Sequence, residues 1–346
     1  MDYTASGITN TFEYELVKVF APHESLGLYD SATGGKITRK WSADYRESLT
    51  LDIDGELPPM GALVRVWHTA TLGDESERTC LGTFMQESSS LDYIKGRYVG
   101  TISLQSCLLR HGTDKRGNNR NIGAGTNVVS LFRSIVSGDG GDPWVDTGLN
   151  SSKTFTATHV WEFGESALDE LQRCADALGA MIHTSPYGAT ELRTYLAPGD
   201  RPVSWTLTAD NLIPSISVSA PEVVNVVQLQ YTPQGSQSGQ FASAYLPASH
   251  PWSMQSIGRH AAKVYQLQQL TKASVSAQAQ YLLEQTPAGN KWTATLPYMP
   301  LQTGSKGALV YQDVDGVDGI AAYATIDSLE INLDTAMEMQ AILTEV

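Results

Sequence analysis

From Phe12 to about Leu109 the apolar residues of this chain recur at every second position, with no helical spacing between the repeats. Phe12-Glu13-Tyr14-Glu15-Leu16-Val17-Lys18-Val19 and Ser48-Leu49-Thr50-Leu51-Asp52-Ile53 show the pattern. Leu63 to His68, Cys80 to Met85 and Arg97 to Leu104 continue it. Successive side chains of a strand point to opposite faces, so a run like this buries an apolar face only by forming a sheet. Gly34-Gly35, Asp54-Gly55 and Pro58-Pro59 read as the turns between strands. Many short strands at this spacing predict a small antiparallel barrel or sandwich.

The period then changes. His111 to Gly125, HGTDKRGNNRNIGAG, is a polar loop that marks a boundary, and Asn127 opens a short helix with Val128, Leu131, Phe132 and Ile135 on one side. Trp161 to Leu196 reads as a helix and a hairpin. Ser166-x-x-Asp169 is a capping box, in which a hydroxyl and a carboxylate satisfy each other's orphan backbone donors. Leu168, Leu171, Cys174, Ala175 and Leu178 form the apolar face, while Asp169, Glu170, Arg173 and Asp176 are expected on the solvated one. Gly179 stops the helix. Ala180 to Thr184 and Glu191 to Leu196 then flank the turn Ser185-Pro186-Tyr187-Gly188.

Strand pattern returns from Arg201 to Ser219 and in the run Val223 to Tyr231. Gln234 to Gln240 is a low-complexity loop, and Ser274 to Gln285 a helix with Val275, Ala279 and Leu282 on one face. The tail alternates again in Lys291 to Leu296, Ala308 to Gln312, Tyr323 to Leu333 and Met337 to Leu343. The fold class expected is mainly β with an α+β middle.

With 346 residues the chain exceeds one small core. A net charge of −14 argues against gripping a nucleic-acid backbone, which requires clustered cations. No secretory leader and no apolar run of spanning length is seen. Cys80, Cys107 and Cys174 are odd in number and widely spaced, the pattern of buried reduced thiols made in a cytoplasm.

This order of elements resembles the hub proteins of phage tail tips and baseplates, and the hub part of contractile injection-system spike proteins. The matching pieces are Tyr45-Arg46-Glu47-Ser48-Leu49-Thr50-Leu51, Leu81-Gly82-Thr83-Phe84, and Ser166 to Leu171 running into Leu178-Gly179-Ala180. Val224-Asn225-Val226-Val227 looks like the strand that opens a second barrel, and Ser276-Ala277-Gln278-Ala279 like its helix. The resemblance implies two tail-tube-like antiparallel β-barrel domains joined by a mixed domain: residues 1–110 for the first, 111–209 and 243–288 for the connection, 210–242 and 289–346 for the second. It implies a homotrimer whose six barrels form a pseudo-sixfold ring, a symmetry adaptor joining a hexameric tail tube to threefold tip components. Tube or distal tail proteins, tip or fibre proteins and passing viral DNA would be the partners, and the virion tail tip the location. Larger relatives carry a lytic or receptor-binding module beyond the closing β unit, for which no residues remain here.

Catalytic, cofactor and metal residues are expected to be none. His23, His68, His111, His159, His183, His250 and His260 lack metal-ligand spacing. Asp313, Asp315 and Asp318 lack the later bidentate glutamate of a calcium loop and read as a solvated turn. Glu162 and Glu165 invite a reading as the two acids of a glycosidase, but acids are also expected at a helix start. Arg110, Lys115, Arg116 and Arg120 are the one basic cluster, read as an exposed loop or as a docking surface for an acidic partner. Cys174 faces inward as a packed thiol. Trp41, Trp67, Trp144, Trp161, Trp205, Trp252 and Trp292 are spread as core or interface anchors would be. The alternatives to the hub are a polysaccharide-acting enzyme and a carbohydrate-binding module, in which those rings would stack on sugars.

Overall fold

Leu49, Leu51 and Ile53 are buried while Thr50, Asp52 and Asp54 between them are exposed, so strand Glu47–Gly55 has the two-faced form that its alternation predicts. The computed structural model describes residues 3, 7–59, 61–208, 215–219, 223–232, 238–267, 270, 272, 274–286, 289–311 and 319–346. The expected first-half strands are Thr9–Lys18, Glu47–Gly55, Ala62–Leu72, Glu75–Ile94 and Arg97–Ser106. Ala21–Leu28 and Ala32–Lys40 are strands that the pattern missed. Gly34-Gly35 is not a turn: it lies inside Ala32–Lys40 beside a bulge. A Cβ on Gly35 would lie 2.2 Å from the Thr50 carbonyl, so the glycine serves a close approach of two backbones.

All these strands belong to one thirteen-stranded sheet that also takes in the C-terminal strands. From one edge its order is Ala21–Leu28, Thr9–Lys18, Ala62–Leu72, Glu75–Ile94, Arg97–Ser106, Glu47–Gly55, Ala32–Lys40, Ile320–Asn332, Glu338–Glu345, Lys291–Pro297 and Ser215–Ser219. Lys306–Tyr311 pairs with Ile320–Asn332, and Val203–Thr208 pairs with Lys306–Tyr311 in parallel. Strand Ile320–Asn332 joins the two halves. Its residues 320–325 pair with Lys306–Tyr311, its residues 328–332 pair with Ala32–Lys40, and a bulge at Ile326/Ser328 separates the two. One core accordingly runs through both halves, with Ile37, Leu51 and Ile102 in the same cluster as Trp292, Leu329 and Leu343.

This corrects the expectation of two separate barrels. Among the described residues the sheet does not close on itself, and it ends at Ala21–Leu28, at Ser215–Ser219 and, on a side branch, at Val203–Thr208. A strand of 13 residues is long enough for two successive partners along one edge, which fuses the halves.

The middle packs helices Val128–Gly138 and Ala167–Leu178 over the sheet made of Pro143–Val145, Ala180–Thr184 and Thr190–Thr194, around Phe132, Trp161, Leu171, Ile182 and Leu192. The Asn127 side chain caps the first helix through Ser130 N at 2.8 Å. Both halves of the Ser166/Asp169 capping box form, and Gly179 takes φ 62° at the helix end. The segment His111 to Gly125 is not one loop. It continues helix Leu109–Thr113 and contains strand Arg120–Ile122, which pairs with His159–Trp161. Glu170, expected on the solvated face, is fully buried, because a cation and an imidazole meet it there.

Val226–Tyr231 does not enter the large sheet. It is the centre of a separate three-stranded sheet with Gln240–Tyr245 and Ala262–Leu267, covered by helix Val275–Glu284 through Val227, Leu229, Ala279 and Leu283. Its strong β character was read correctly, and it stands apart from the C-terminal strands with which the resemblance grouped it. No helix among the described residues is long and apolar enough to cross a membrane.

Candidate functional site

The hairpin turn at Ser185–Gly188 docks on the large sheet. The Thr83 hydroxyl donates to the Pro186 carbonyl at 2.7 Å and the Cys80 thiol reaches the same oxygen at 3.3 Å. Buried Arg65 donates from Nε to Thr83 Oγ1 at 3.0 Å, and from Nη2 to the carbonyls of Pro22 at 2.6 Å and Tyr187 at 3.3 Å. Its countercharge is Glu15, 3.6 Å away, which also accepts from Trp67 Nε1 at 2.8 Å. Burial acts to raise the Glu15 carboxyl, but hydrogen bonds from Ser25 and Trp67 and the charges of Arg65 and Arg78 outweigh it and hold the pKa below the usual glutamate value. Gly188 has φ 90°, and a Cβ there would sit 3.0 Å from the Cys107 sulfur. The helix-and-hairpin unit is thus fastened to the first half of the sheet by its tip.

A second seam gathers the other parts. The Arg201 guanidinium lies over Trp41 at 4.5 Å and over Tyr195 at 5.6 Å, and its Nε donates to the Leu196 carbonyl at 2.9 Å. Nη1 donates to the Gly304 carbonyl, and Gly304 lies so near Trp41 that a Cβ would fall 2.1 Å from the indole ring. Tyr195 meets Tyr281 of the small unit edge-on at 6.4 Å. First half, middle, second half and small unit therefore converge on one stack of cation and rings.

Buried ionic groups hold the middle together. His159 Nε2 lies 2.7 Å from Glu170 Oε1, and Arg173 Nη1 donates to Glu170 Oε2 at 3.0 Å and to Glu165 Oε2 at 2.9 Å. Glu165, one member of the conceivable glycosidase pair, is therefore committed to Arg173 and to the backbone N–H of Glu162. His111 is placed like the centre of a hydrolytic triad, with Nδ1 2.6 Å from Asp139 Oδ2 and Nε2 3.0 Å from Thr190 Oγ1. Both His111 and Thr190 have 0% exposure, so no substrate reaches the hydroxyl, and the three groups act as a clasp between helices and hairpin. Nothing in the sequence flagged it, since residues 111, 139 and 190 meet only through the fold.

The other candidates are scattered. Among the described residues no three His, Cys, Asp or Glu side chains form a metal-binding group. Asp313, Asp315 and Asp318 lie outside the described residues. The three cysteines are buried and free, and burial raises the thiols of Cys80, to about 11, and of Cys174. Trp161, Trp205 and Trp292 are core residues, Trp144 is exposed, and the rest are half-buried in different parts, so no aromatic groove forms. Arg110, Arg116 and Arg120 of the basic cluster do converge, on a groove beside Phe20, while Lys115 is exposed.

What remains open to partners is edge and tip. Strand Ala21–Leu28 leaves one backbone edge free and exposes Leu26 and Leu28, Ser215–Ser219 exposes Val218 at a second, Val203–Thr208 exposes Val203 at a third, and the hairpin tip bears Tyr93 and Ile94. Unpaired strand edges of this kind are templates for pairing with another chain.

No protein-family model matches the chain, and no curated protein matches it in sequence. Solved structures do match it over nearly its whole length. A tail protein from Neisseria meningitidis MC58 has 14% identity and a TM-score of 0.66, with 97% of each chain covered. The 43 kDa tail protein of prophage MuSo2 from Shewanella oneidensis has 15% identity and a TM-score of 0.62, covering 96% of this chain and 98% of that one. A chain of the Francisella PdpA-VgrG complex has 10% identity and a TM-score of 0.59, covering 98% of this chain and 58% of that one. Over nearly its whole length the chain has the fold of those two tail proteins.

Proposed function

We propose that this protein is a structural hub subunit of a phage tail tip or baseplate, without catalysis. Three copies would form a pseudo-sixfold ring that joins a hexameric tube to threefold tip components and encloses the DNA channel. The observation that carries the reading is that likeness to two tail proteins covers 96% and 97% of this chain, so the shared fold takes in nearly all of it. The open sheet supports it. Each copy offers two halves joined at strand Ile320–Asn332, with free edges at Ala21–Leu28, Ser215–Ser219 and Val203–Thr208, and a sheet with unlike free edges can pair onward with its neighbours. The net charge of −14 suits a wall along which a duplex slides without being held.

The test is the mass in solution, alone and with a tube protein. A trimer of the 37.5 kDa chain would have a mass of about 112 kDa and appear as a ring by electron microscopy. A chain that stays monomeric in both conditions would sink the proposal.

A further inference from the structure

The groove next to Phe20 is an arginine site that the chain's own carboxylates leave open. Arg110 is buried and fixed by donating to the Gly140 carbonyl and, at 3.1 Å, to the Val19 carbonyl. The Arg116 guanidinium lies over the Trp161 ring, 3.7 Å from its centroid, and Arg120 stands exposed on strand Arg120–Ile122. Among the described residues no carboxylate pairs with Arg110, Arg116 or Arg120, and the buried Nε atoms of Arg110 and Arg116 have no hydrogen-bond partner. Several other arginines do have carboxylate partners: Arg78 with Glu13, Arg97 with Asp54, Arg173 with Glu170 and Arg193 with Glu191. Of the two acids at the groove, Asp139 is engaged by His111 and Asp114 is exposed at the rim. Arg110, held by two carbonyls, and Arg116, set against Trp161, lie beside the exposed Arg120, and together they suit an oxyanion, since guanidinium forks match carboxylates.

We infer that this groove receives the acidic turn Asp74-Glu75 of a second copy of the chain. In a chain of net charge −14 the complementary surface is abundant on the protein itself, and this turn is an exposed one, at the tip of the hairpin formed by Ala62–Leu72 and Glu75–Ile94. Socket and knob sit at opposite ends of strand Thr9–Lys18. Thr9 pairs with Thr71 beside the turn, and Val19, just past Lys18, is held by Arg110. At about 3.3 Å per residue the two are roughly 30 Å apart, so one molecule cannot join its own. A contact between unlike sites at opposite ends is head-to-tail, and it repeats from copy to copy until a ring closes. Phe20, 76% exposed at the groove's edge, gives the contact an apolar rim.

This inference rests on the homotrimer proposed above and names the charges that select it. Sedimentation velocity of the wild-type chain establishes the assembly, and four variants test the contact. Arg116→Glu with Arg120→Glu, and separately Asp74→Lys with Glu75→Lys, should each weaken self-association by at least about tenfold, because like charges then face each other. Arg120→Glu alone, at an exposed site, should weaken it less and guards against a folding defect. All four reversals in one chain should restore assembly. Wild type that assembles together with charge variants that assemble equally well overturns the contact and leaves the trimer standing. Failure of the fourfold reversal to restore assembly also overturns it. Wild type that never assembles overturns both. Binding of a free decaglutamate peptide with no effect of the variants on assembly would show the groove to be a site for a foreign acidic segment, and would equally overturn the self-contact.

Discussion

Glu170 is a carboxylate with no exposed surface, and it is tolerable there only because His159 and Arg173 both bond to it. Removing it strands the buried His159 imidazole and leaves Arg173 with Glu165 alone, so Glu170→Ala should destabilise the chain by about 3 kcal/mol, measured by urea denaturation. Glu170→Gln, which keeps the size but loses the charge, should cost less. His68 is a second buried polar residue, ringed by Phe12 and Tyr298 and held at Nε2 by Asn10 Oδ1 at 2.9 Å. Burial lowers its pKa to about 4 from an ordinary 6.5. The folded chain keeps the ring neutral while the unfolded chain protonates it near pH 6.5, so its contribution is complete above that pH and is lost on going down toward pH 4. Stability should fall on acidification through this window, and His68→Phe should flatten the slope in urea titrations at pH 7.5 and 5. A rise in stability on acidification would contradict the assignment. Both histidines were visible in the sequence as residues, but not their partners, because burial and pairing are properties of the packed chain.

Among the elements, helix Ala167–Leu178 was legible almost to the residue. Its start and stop are written locally, in a hydroxyl and a carboxylate three residues apart and a glycine past the last turn. Ser166→Ala should therefore cost about 1 kcal/mol, read as a shift in the urea midpoint without a change of slope. The strand Ala32–Lys40 was misread because glycine pairs signal turns when seen alone. Its Gly35 is needed for the approach to Thr50, and Gly35→Val should cost well over the roughly 1 kcal/mol of an ordinary strand substitution, checked in the same assay. The hairpin turn Ser185–Gly188 was also anticipated, whereas its docking on Arg65 and Thr83 was not. Turn formation depends on four neighbouring residues; docking depends on residues about 100 positions away.

At the scale of the whole molecule, one core spans both ends of the chain while the small unit at 226–284 keeps a core of its own. The two sheet halves should consequently unfold as one cooperative body, and the small unit should open separately. Hydrogen exchange would show this as two classes of protection, with strands Val226–Tyr231 and Gln240–Tyr245 exchanging ahead of Glu47–Gly55 and Glu338–Glu345. Identical protection in all four would contradict it. The sequence by itself determined where strands and helices lie, which face of each is apolar and how the central helix is capped, because those depend on spacing and on chemistry a few residues away. Tertiary structure alone decided that Val226–Tyr231 leaves the large sheet, that Ile320–Asn332 fuses the two halves and that three separated arginines share a groove. Strand pairing and charge proximity are set by which surfaces meet in space, and alternation along a single strand carries no label for its partner.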